Sequence, residues 1–465
     1  GRIPASEPYQ IKDYLDKVME YEMEPDYSDW ENRLWKKNII HLNGGANTSE
    51  ITTIKSYMDL MAFNISNNKY SGATTSFNKE RVDAATESQS AKLERLINEG
   101  VGLVTFFGHS AATSFDYSIN SPEDLENEGR YFIMNAMGCN SGQIHSGVFS
   151  LSERFVLAPD RGAIAFMASS GLGYISAYRT FGLDHYNKLG DELYGETLGN
   201  ILLSNLKVLD RSFQTHQLLA QQMTLNGDPA IKVNNETGPD YVIDESTVEI
   251  TPGNLNAGMS DYEINFSMLN LGGGPLDSIF VRIEQELPDG SMMLVSESKE
   301  RTPKYYEPLN KTIQGQGLSM QGWNRFHISI DVYNDIDETP NPLGEENNVY
   351  IHTDGLPGYP VYVNSVGVKL NHPSNFGIVG KDNVSLNAEV SPNVLEEDLF
   401  VIEFDTTELF NSPFKISDMI PANGTELDWD PGVTLNEDEV YYWRISPDST
   451  GQNGFVWENE NGIGI

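Results

Sequence analysis

The chain has 465 residues, enough for about three domains. Its formal net charge of −38 opposes phosphate backbones and anionic lipid surfaces, so nucleic acid is not an expected partner. A hydrophobic content of 39% is enough to build packed cores and sets the chain apart from disordered proteins. No apolar run reaches the ~18 residues of a membrane span, no signal-peptide pattern starts at Gly1, and the single cysteine, Cys139, excludes an internal disulfide.

Over roughly the first 235 residues the pattern alternates between helix and strand. Ile11, Leu15, Val18 and Met19 recur at helical spacing behind Ser6 and Pro8. Residues 37–42 predict a short strand closed by Asn43-Gly44-Gly45, and Ile51, Ile54, Met58 and Met61 predict a second helix. Leu93, Leu96 and Ile97 mark a third helix that Gly100 would stop. Apolar runs at 101–107, 131–137 and 163–168 read as strands buried on both faces. Between the first two, Ser121-Pro122-Glu123-Asp124 has the cap, first-turn proline and acids of a helix start. Helical segments follow from about 182 to 225, then the turn Asn226-Gly227-Asp228-Pro229 and a last strand at 230–233. Strands alternating with helices imply parallel crossovers, hence a parallel α/β sheet.

Beyond about Pro239 the texture becomes β. Residues 262–268 and 279–283 alternate, and Gly272-Gly273-Gly274 and Asp289-Gly290 punctuate them. Leu356-Pro357-Gly358-Tyr359-Pro360 reads as a linker, followed by strands at 400–404 and 441–445. The expected domains are 1–235, α/β, then 236–356 and 357–465, two all-β Ig-like sandwiches.

Two of the buried strands run into chemically capable residues. One leads to Gly108-His109-Ser110, the other to Gly138-Cys139-Asn140-Ser141-Gly142. Thirty residues separate His109 from Cys139, about one crossover unit, and carboxyl ends of parallel strands form the ligand crevice of such sheets. A thiol beside an imidazole suits nucleophilic catalysis, with the imidazole protonating the leaving amine. Backbone N–H groups at Ser110 and Cys139 are candidates for stabilising an oxyanion. Taken singly, a lone cysteine at a strand end is more often a small buried hydrophobe, and a lone histidine a structural residue.

Phe106-Phe107-Gly108-His109-Ser110 and Asn135-Ala136-Met137-Gly138-Cys139 resemble the histidine and cysteine motifs of the gingipain-like cysteine peptidases. Gly1-Arg2-Ile3-Pro4-Ala5 resembles a strand of that family, and the run from Leu151 to Leu157 resembles the helix after its nucleophile. Gly162-Ala163-Ile164-Ala165-Phe166 and Gly227-Asp228-Pro229-Ala230 resemble its next core strand and closing motif. The resemblance covers about residues 1–235 and is nearest to the PorU-type sortase branch of the Bacteroidetes type IX secretion system. It implies a caspase-like fold and cysteine-peptidase chemistry, hydrolytic or transpeptidating, without a required cofactor. It further implies secreted cargo proteins as substrates, and other secretion components and surface lipopolysaccharide as partners. The implied location is extracellular, at the outer-membrane surface of a Gram-negative cell. An upstream portion of the catalytic unit is expected before Gly1, and Ser110 stands where gingipains proper carry glycine. A secreted gingipain-type endopeptidase and a non-catalytic surface scaffold remain as alternatives.

Glu50 is the candidate for the acid that orients His109, as gingipains carry a glutamate upstream of the histidine. Asn47-Thr48-Ser49-Glu50 reads equally as a capping box. Asp116 is a candidate for the substrate crevice or a solvated loop acid, His145 reads as solvent-facing, and Asp228 as a turn residue. In the β region, Asp331, Asn334, Ile336, Glu338 and Glu345-Glu346-Asn347-Asn348 resemble the closing motif of CARDB-type modules. The last segment resembles a fibronectin-like or Ig-like module. Gingipains bind calcium, and the acidic loop Asp335-Ile336-Asp337-Glu338 offers the oxygen ligands calcium favours, though without an EF-hand pattern. Structural calcium is therefore an open expectation, with no metal ligand assigned.

Overall fold

The computed structural model describes the chain except for residues 24–28, 80–87, 118, 120, 235, 237, 275–277, 365–367, 375, 383, 391–398, 449–456, 460–462 and 465. In chain order, the first unit contains α1 (Pro8–Glu22), α2 (Glu31–Leu34), β1 (Asn38–Asn43), α3 (Thr48–Asn67), β2 (Ala73–Asn78) and α4 (Gln89–Glu99). There follow β3 (Leu103–Phe107), β4 (Phe132–Met137), α5 (Leu151–Leu157), β5 (Ala163–Ser169), α6 (Ile175–Asn187), α7 (Leu198–Lys207), α8 (Gln214–Gln222) and β6 (Met223–Gly227). The sheet order is β2-β1-β3-β4-β5-β6; the first five strands are parallel and β6 runs antiparallel to β5. Every residue of β3, β4 and β5 is buried, as expected of central strands covered on both faces. Helix α3 packs on α6, and α6 on α7 and α8; α1 packs on α5 and β5.

Four details depart from the sequence reading. The segment after Ser121 forms a single 3-10 turn, Pro122–Asp124, instead of an α-helix. Residues 230–233 carry only an isolated bridge from Thr197 to Lys232; the last strand of the sheet is β6, in the segment read as helix end and turn. Gly1-Arg2-Ile3-Pro4-Ala5 contributes a bridge at Arg2, whose backbone bonds Leu225 and Gly227. Helix α1 forms but turns a different face inward: Tyr14, Lys17, Val18 and Tyr21 are buried, while Ile11, Leu15 and Met19 are exposed. The physical reason lies in the polar tips of the inward side chains. Lys17 Nζ donates to the carbonyls of Val156, Ala158, Arg161 and Ala163 at 2.6–3.2 Å, and the Tyr14 hydroxyl to that of Ile164 at 3.0 Å. Buried backbone acceptors require donors, and aliphatic side chains on this face supply none.

Among the described residues, the strands of the second part of the chain pair antiparallel, with short helical turns at Gly317–Met320 and Leu343–Glu346. Strands β7 (Tyr241–Thr251), β8 (Asp261–Asn270), β9 (Ser278–Glu286), β10 (Met292–Arg301), β11 (Tyr306–Gln314), β12 (Gly322–Ile330) and β13 (Tyr359–Val363) form sheets β11-β8-β7 and β10-β9-β12-β13. The expected linker at 356–360 therefore runs into a strand: β13 pairs with β12 from Phe326↔Tyr359 to Gly322↔Val363. Strands β14 (Val368–His372), β15 (Leu386–Val390), β16 (Leu399–Asp405), β17 (Ile416–Pro421), β18 (Glu426–Trp429), β19 (Val440–Pro447), β20 (Glu458–Asn459) and β21 (Ile463–Gly464) build the remaining sheets. Inward residues alternate along β8, β9 and β12, and one apolar cluster continues from Tyr241 through Phe326 to Trp443 and Ile445.

The α/β unit and the first β unit are joined by buried cations. Lys37 Nζ, wholly buried, donates to the carbonyls of Asn270, Gly272 and Lys304 at 2.8, 2.6 and 3.4 Å. Burial pushes its ammonium down to about 7, but only the charged form has donors for all the carbonyls around it. Arg33 pairs with the buried Asp240 and with Glu236, while Trp30 and Leu34 pack on Val242, Leu269 and Leu271. Lys37→Met should lower stability by roughly 2–4 kcal/mol, because it leaves buried carbonyls unpaired. Lys12→Met on the surface of α1 should leave the unfolding midpoint nearly unchanged; calorimetry of both variants checks the contrast.

Candidate active site

Four strand ends meet at one lip of the parallel sheet. After β1, the chain turns at Gly44-Gly45 and enters α3, where the Asn47 side chain accepts the Glu50 N–H at 3.1 Å. The Glu50 carboxylate in turn accepts the Ala46 N–H at 2.8 Å and faces His109 Nε2 with both oxygens at 3.0 Å. The capping-box reading is met only on the Asn47 side, since the Glu50 carboxylate reaches Ala46, one residue before the cap, while it also grips the imidazole. These contacts, the Ala46 N–H first and then His109, hold the Glu50 carboxyl below its usual range.

Strands β3 and β4 are neighbours in register Phe107↔Met137, so His109 and Cys139 each stand two residues beyond an aligned pair. The Gly108 N–H donates to Met137 O at 3.2 Å, closing the ladder just below them. Ser110 Oγ then donates to Cys139 O at 2.7 Å, and the Tyr178 hydroxyl of α6 donates to Gly138 O at the same distance. A Cβ on Gly138 would sit 2.2 Å from Ser110 Oγ, so this close approach requires glycine. Cys139 Sγ accepts the backbone N–H of Gly173, in the loop between β5 and α6, at 3.3 Å. The side chain of His109 is 54% exposed and that of Glu50 17%, and Cys139 is half-buried, so a polypeptide can reach the group from solvent. His109 and Cys139 do not hydrogen-bond to one another; Nε2 is taken by Glu50, which leaves Nδ1 for a reacting group. Among the described residues, no acceptor takes the backbone N–H of Ser110 or of Cys139.

Asp116 holds the loop together instead of lining a crevice. It accepts the Gly45 N–H and the Lys79 ammonium, each at 3.0 Å, and its own N–H donates to His109 O at 2.8 Å. Glycines at 44 and 108 make room for it, since a Cβ at either would approach its Oδ1 within 2.3 or 2.6 Å. His145 is exposed, and Asp228 accepts the Ala230 N–H in a turn. Below the lip, His41 on β1 bonds the Tyr186 hydroxyl, which also meets Thr105 on β3, both at 2.7 Å. Burial pushes His41 down to about 3, so this histidine is neutral and structural. Gly173 and Tyr178 were not among the sequence candidates. Gly171-Leu172-Gly173, two residues beyond β5, is the sequence signal that could have marked a third loop at the lip.

The fold and the residues at the lip define a parallel-sheet α/β unit with a half-buried thiol and a carboxylate-held imidazole on adjacent strand ends. The sequence profile described as Peptidase family C25 matches residues 1–234, half of the chain. The chain belongs to that family, the gingipain-type cysteine peptidases. Among solved structures, it is similar to a complex of the pro- and mature domains of Porphyromonas gingivalis RgpB. That match has 13% identity and a TM-score of 0.42, and covers 70% of this chain and 72% of the other. The Arg-specific cysteine proteinase gingipain R matches at 14% identity and a TM-score of 0.42, covering 70% of each chain. A CARDB domain from Pyrococcus furiosus, in complex with di-metal ions, matches at 22% identity and a TM-score of 0.20, over 28% of this chain and 90% of that one. No curated protein matches the chain. Among the described residues, no helix is long and apolar enough to cross a membrane.

Two substitutions probe the geometry. Gly138→Ala should push Ser110 off Cys139 O and slow reaction of the thiol with a peptide electrophile by about tenfold or more, with the circular dichroism spectrum retained. Glu50→Ala should cost about 1 kcal/mol of stability through the α3 terminus, and Glu50→Gln only a few tenths; thermal unfolding of both variants measures the difference.

Proposed function

We propose that the chain is a peptidase acting through Cys139 as nucleophile, His109 as acid–base partner and Glu50 as the residue that orients His109. The observation that carries this reading is the β3–β4 register, which sets His109 and Cys139 at equivalent positions on adjacent strand ends. In this mechanism the His109 imidazole takes the thiol proton as the sulfur bonds to the scissile carbonyl carbon, and the backbone N–H groups of Ser110 and Cys139 receive the developing oxyanion. The C–N bond breaks and the imidazolium gives its proton to the leaving amine. Attack by water or an amine on the thioester then returns the free thiol.

At finer grain we read the chain as a sortase-like component of the Bacteroidetes type IX secretion system, working at the outer-membrane surface on secreted cargo. Other components of that system and surface lipopolysaccharide are the partners this reading implies. Its support is the resemblance of the motifs at 106–110 and 135–139. The β units after the peptidase unit, read as Ig-like, would present cargo or dock the protein. Mass spectrometry of a cleaved cargo peptide incubated with an acceptor amine tests the finer reading. Amide product is expected; hydrolysis alone, with broad turnover of unrelated peptides, would mark a secreted endopeptidase.

The chemistry itself is tested with a thiol-directed peptidyl electrophile. Wild-type protein should be labelled once, Cys139→Ala not at all, and His109→Ala at least ~100-fold more slowly. Equal labelling of wild type and Cys139→Ala would end the proposal.

A further inference from the structure

Outside the peptidase lip, the loop after β12 brings acids together where the first β unit meets the α/β unit. Asp331 and Glu338 are buried and Glu345 partly so, and one carboxylate oxygen from each lies within 4.8 Å of the others. Among the described residues, no lysine or arginine pairs with any of the three; the nearby buried Asp240 is taken by Arg33. Asp331 accepts the N–H groups of Asp335 and Ile336 at 3.1 Å, and Glu345 Oε1 that of Glu338 at 2.9 Å. Glu338 accepts the Tyr241 N–H and, at 2.9 Å, the side-chain amide of Asn348. These bonds use part of each carboxylate and leave oxygen lone pairs over.

A second observation concerns groups that have no partner. Asn348 is only 5% exposed, and its amide end lies against Glu338, yet its Oδ1 is buried and takes no hydrogen bond. Glu345 Oε2 is also buried without a partner. Buried polar oxygens without donors are uncommon and require a reason. A cation between them would supply it, and a donor set of oxygens only, with no nitrogen or sulfur, fits a hard ion.

We propose that Asp331, Glu338, Glu345 and Asn348 Oδ1 bind a divalent cation of the calcium class. The ion ties the end of β12 to the segment entering β7, because Glu338 holds Tyr241 and the adjoining Thr339 N–H bonds Pro239 O at 2.8 Å. It therefore braces the junction that Lys37 and Arg33 also cross. Of the acidic run Asp335-Ile336-Asp337-Glu338, only Glu338 belongs to the set; Asp335 and Asp337 are exposed.

The test uses the full chain, stripped with a chelator and titrated with calcium chloride. Binding with a Kd of ~10⁻⁴–10⁻³ M or tighter is expected, with a rise in unfolding temperature. Glu345→Gln should weaken binding at least ~tenfold and Asp337→Asn should leave it unchanged. Terbium luminescence sensitised through nearby Tyr241 in the native chain, displaced by calcium, gives a readout that depends on no variant. Absence of calcium uptake up to ~10 mM, no displaceable terbium signal, or a folded Glu345→Gln chain that binds as wild type would overturn the proposal.

Discussion

The parallel pairing of β3 with β4 is the constraint on which the rest of the site depends. A one-residue slip would turn every side chain of one strand to the opposite face and remove the alignment of Phe107 with Met137. With that register held, two short loops leave the sheet side by side and are stitched together immediately. Ser110 reaches the Cys139 carbonyl, Tyr178 the Gly138 carbonyl, and Gly173 the sulfur. The glycine at 138 is needed for the first of these contacts, so the backbone geometry and the chemistry share one steric requirement.

From the opposite side, β1 delivers the carboxylate. Glu50 lies in the first turn of α3, where an acid is favourable for the helix itself, and the same carboxylate holds His109. A residue fixed by its own helix terminus is a firm support for an imidazole on a more exposed loop. Asp116 completes the frame by tying the β1 turn to the His109 loop through Gly45 and its own N–H.

Much of this was legible in the sequence because buried parallel strands announce themselves as short apolar runs, and glycines mark their exits. The runs at 101–107, 131–137 and 163–168 became β3, β4 and β5. The edge strands were harder to read. Ala73–Asn78 in β2 is polar and half-exposed, with only Phe77 buried, so it has no apolar signature. Strand β6 ends in Asn226-Gly227, residues that read as a turn but pair with Phe166 and Ala165. The inward face of α1 was hidden because lysine and tyrosine, not its aliphatic residues, meet the carbonyls of the sheet entry. Likewise, the contact of Gly173 with the sulfur and the gathering of Asp331, Glu338 and Glu345 depend on tertiary placement that spacing along the chain does not encode.

On the proposed function, folding and not the mere presence of a thiol makes Cys139 reactive. The most direct measurement is the rate of alkylation of Cys139 by iodoacetamide at neutral pH in the folded chain against the same chain in denaturant. Faster modification is expected in the folded state, with the advantage lost when His109 is replaced by alanine. A thiol that reacts faster once unfolded, or whose folded rate ignores the histidine, would contradict it.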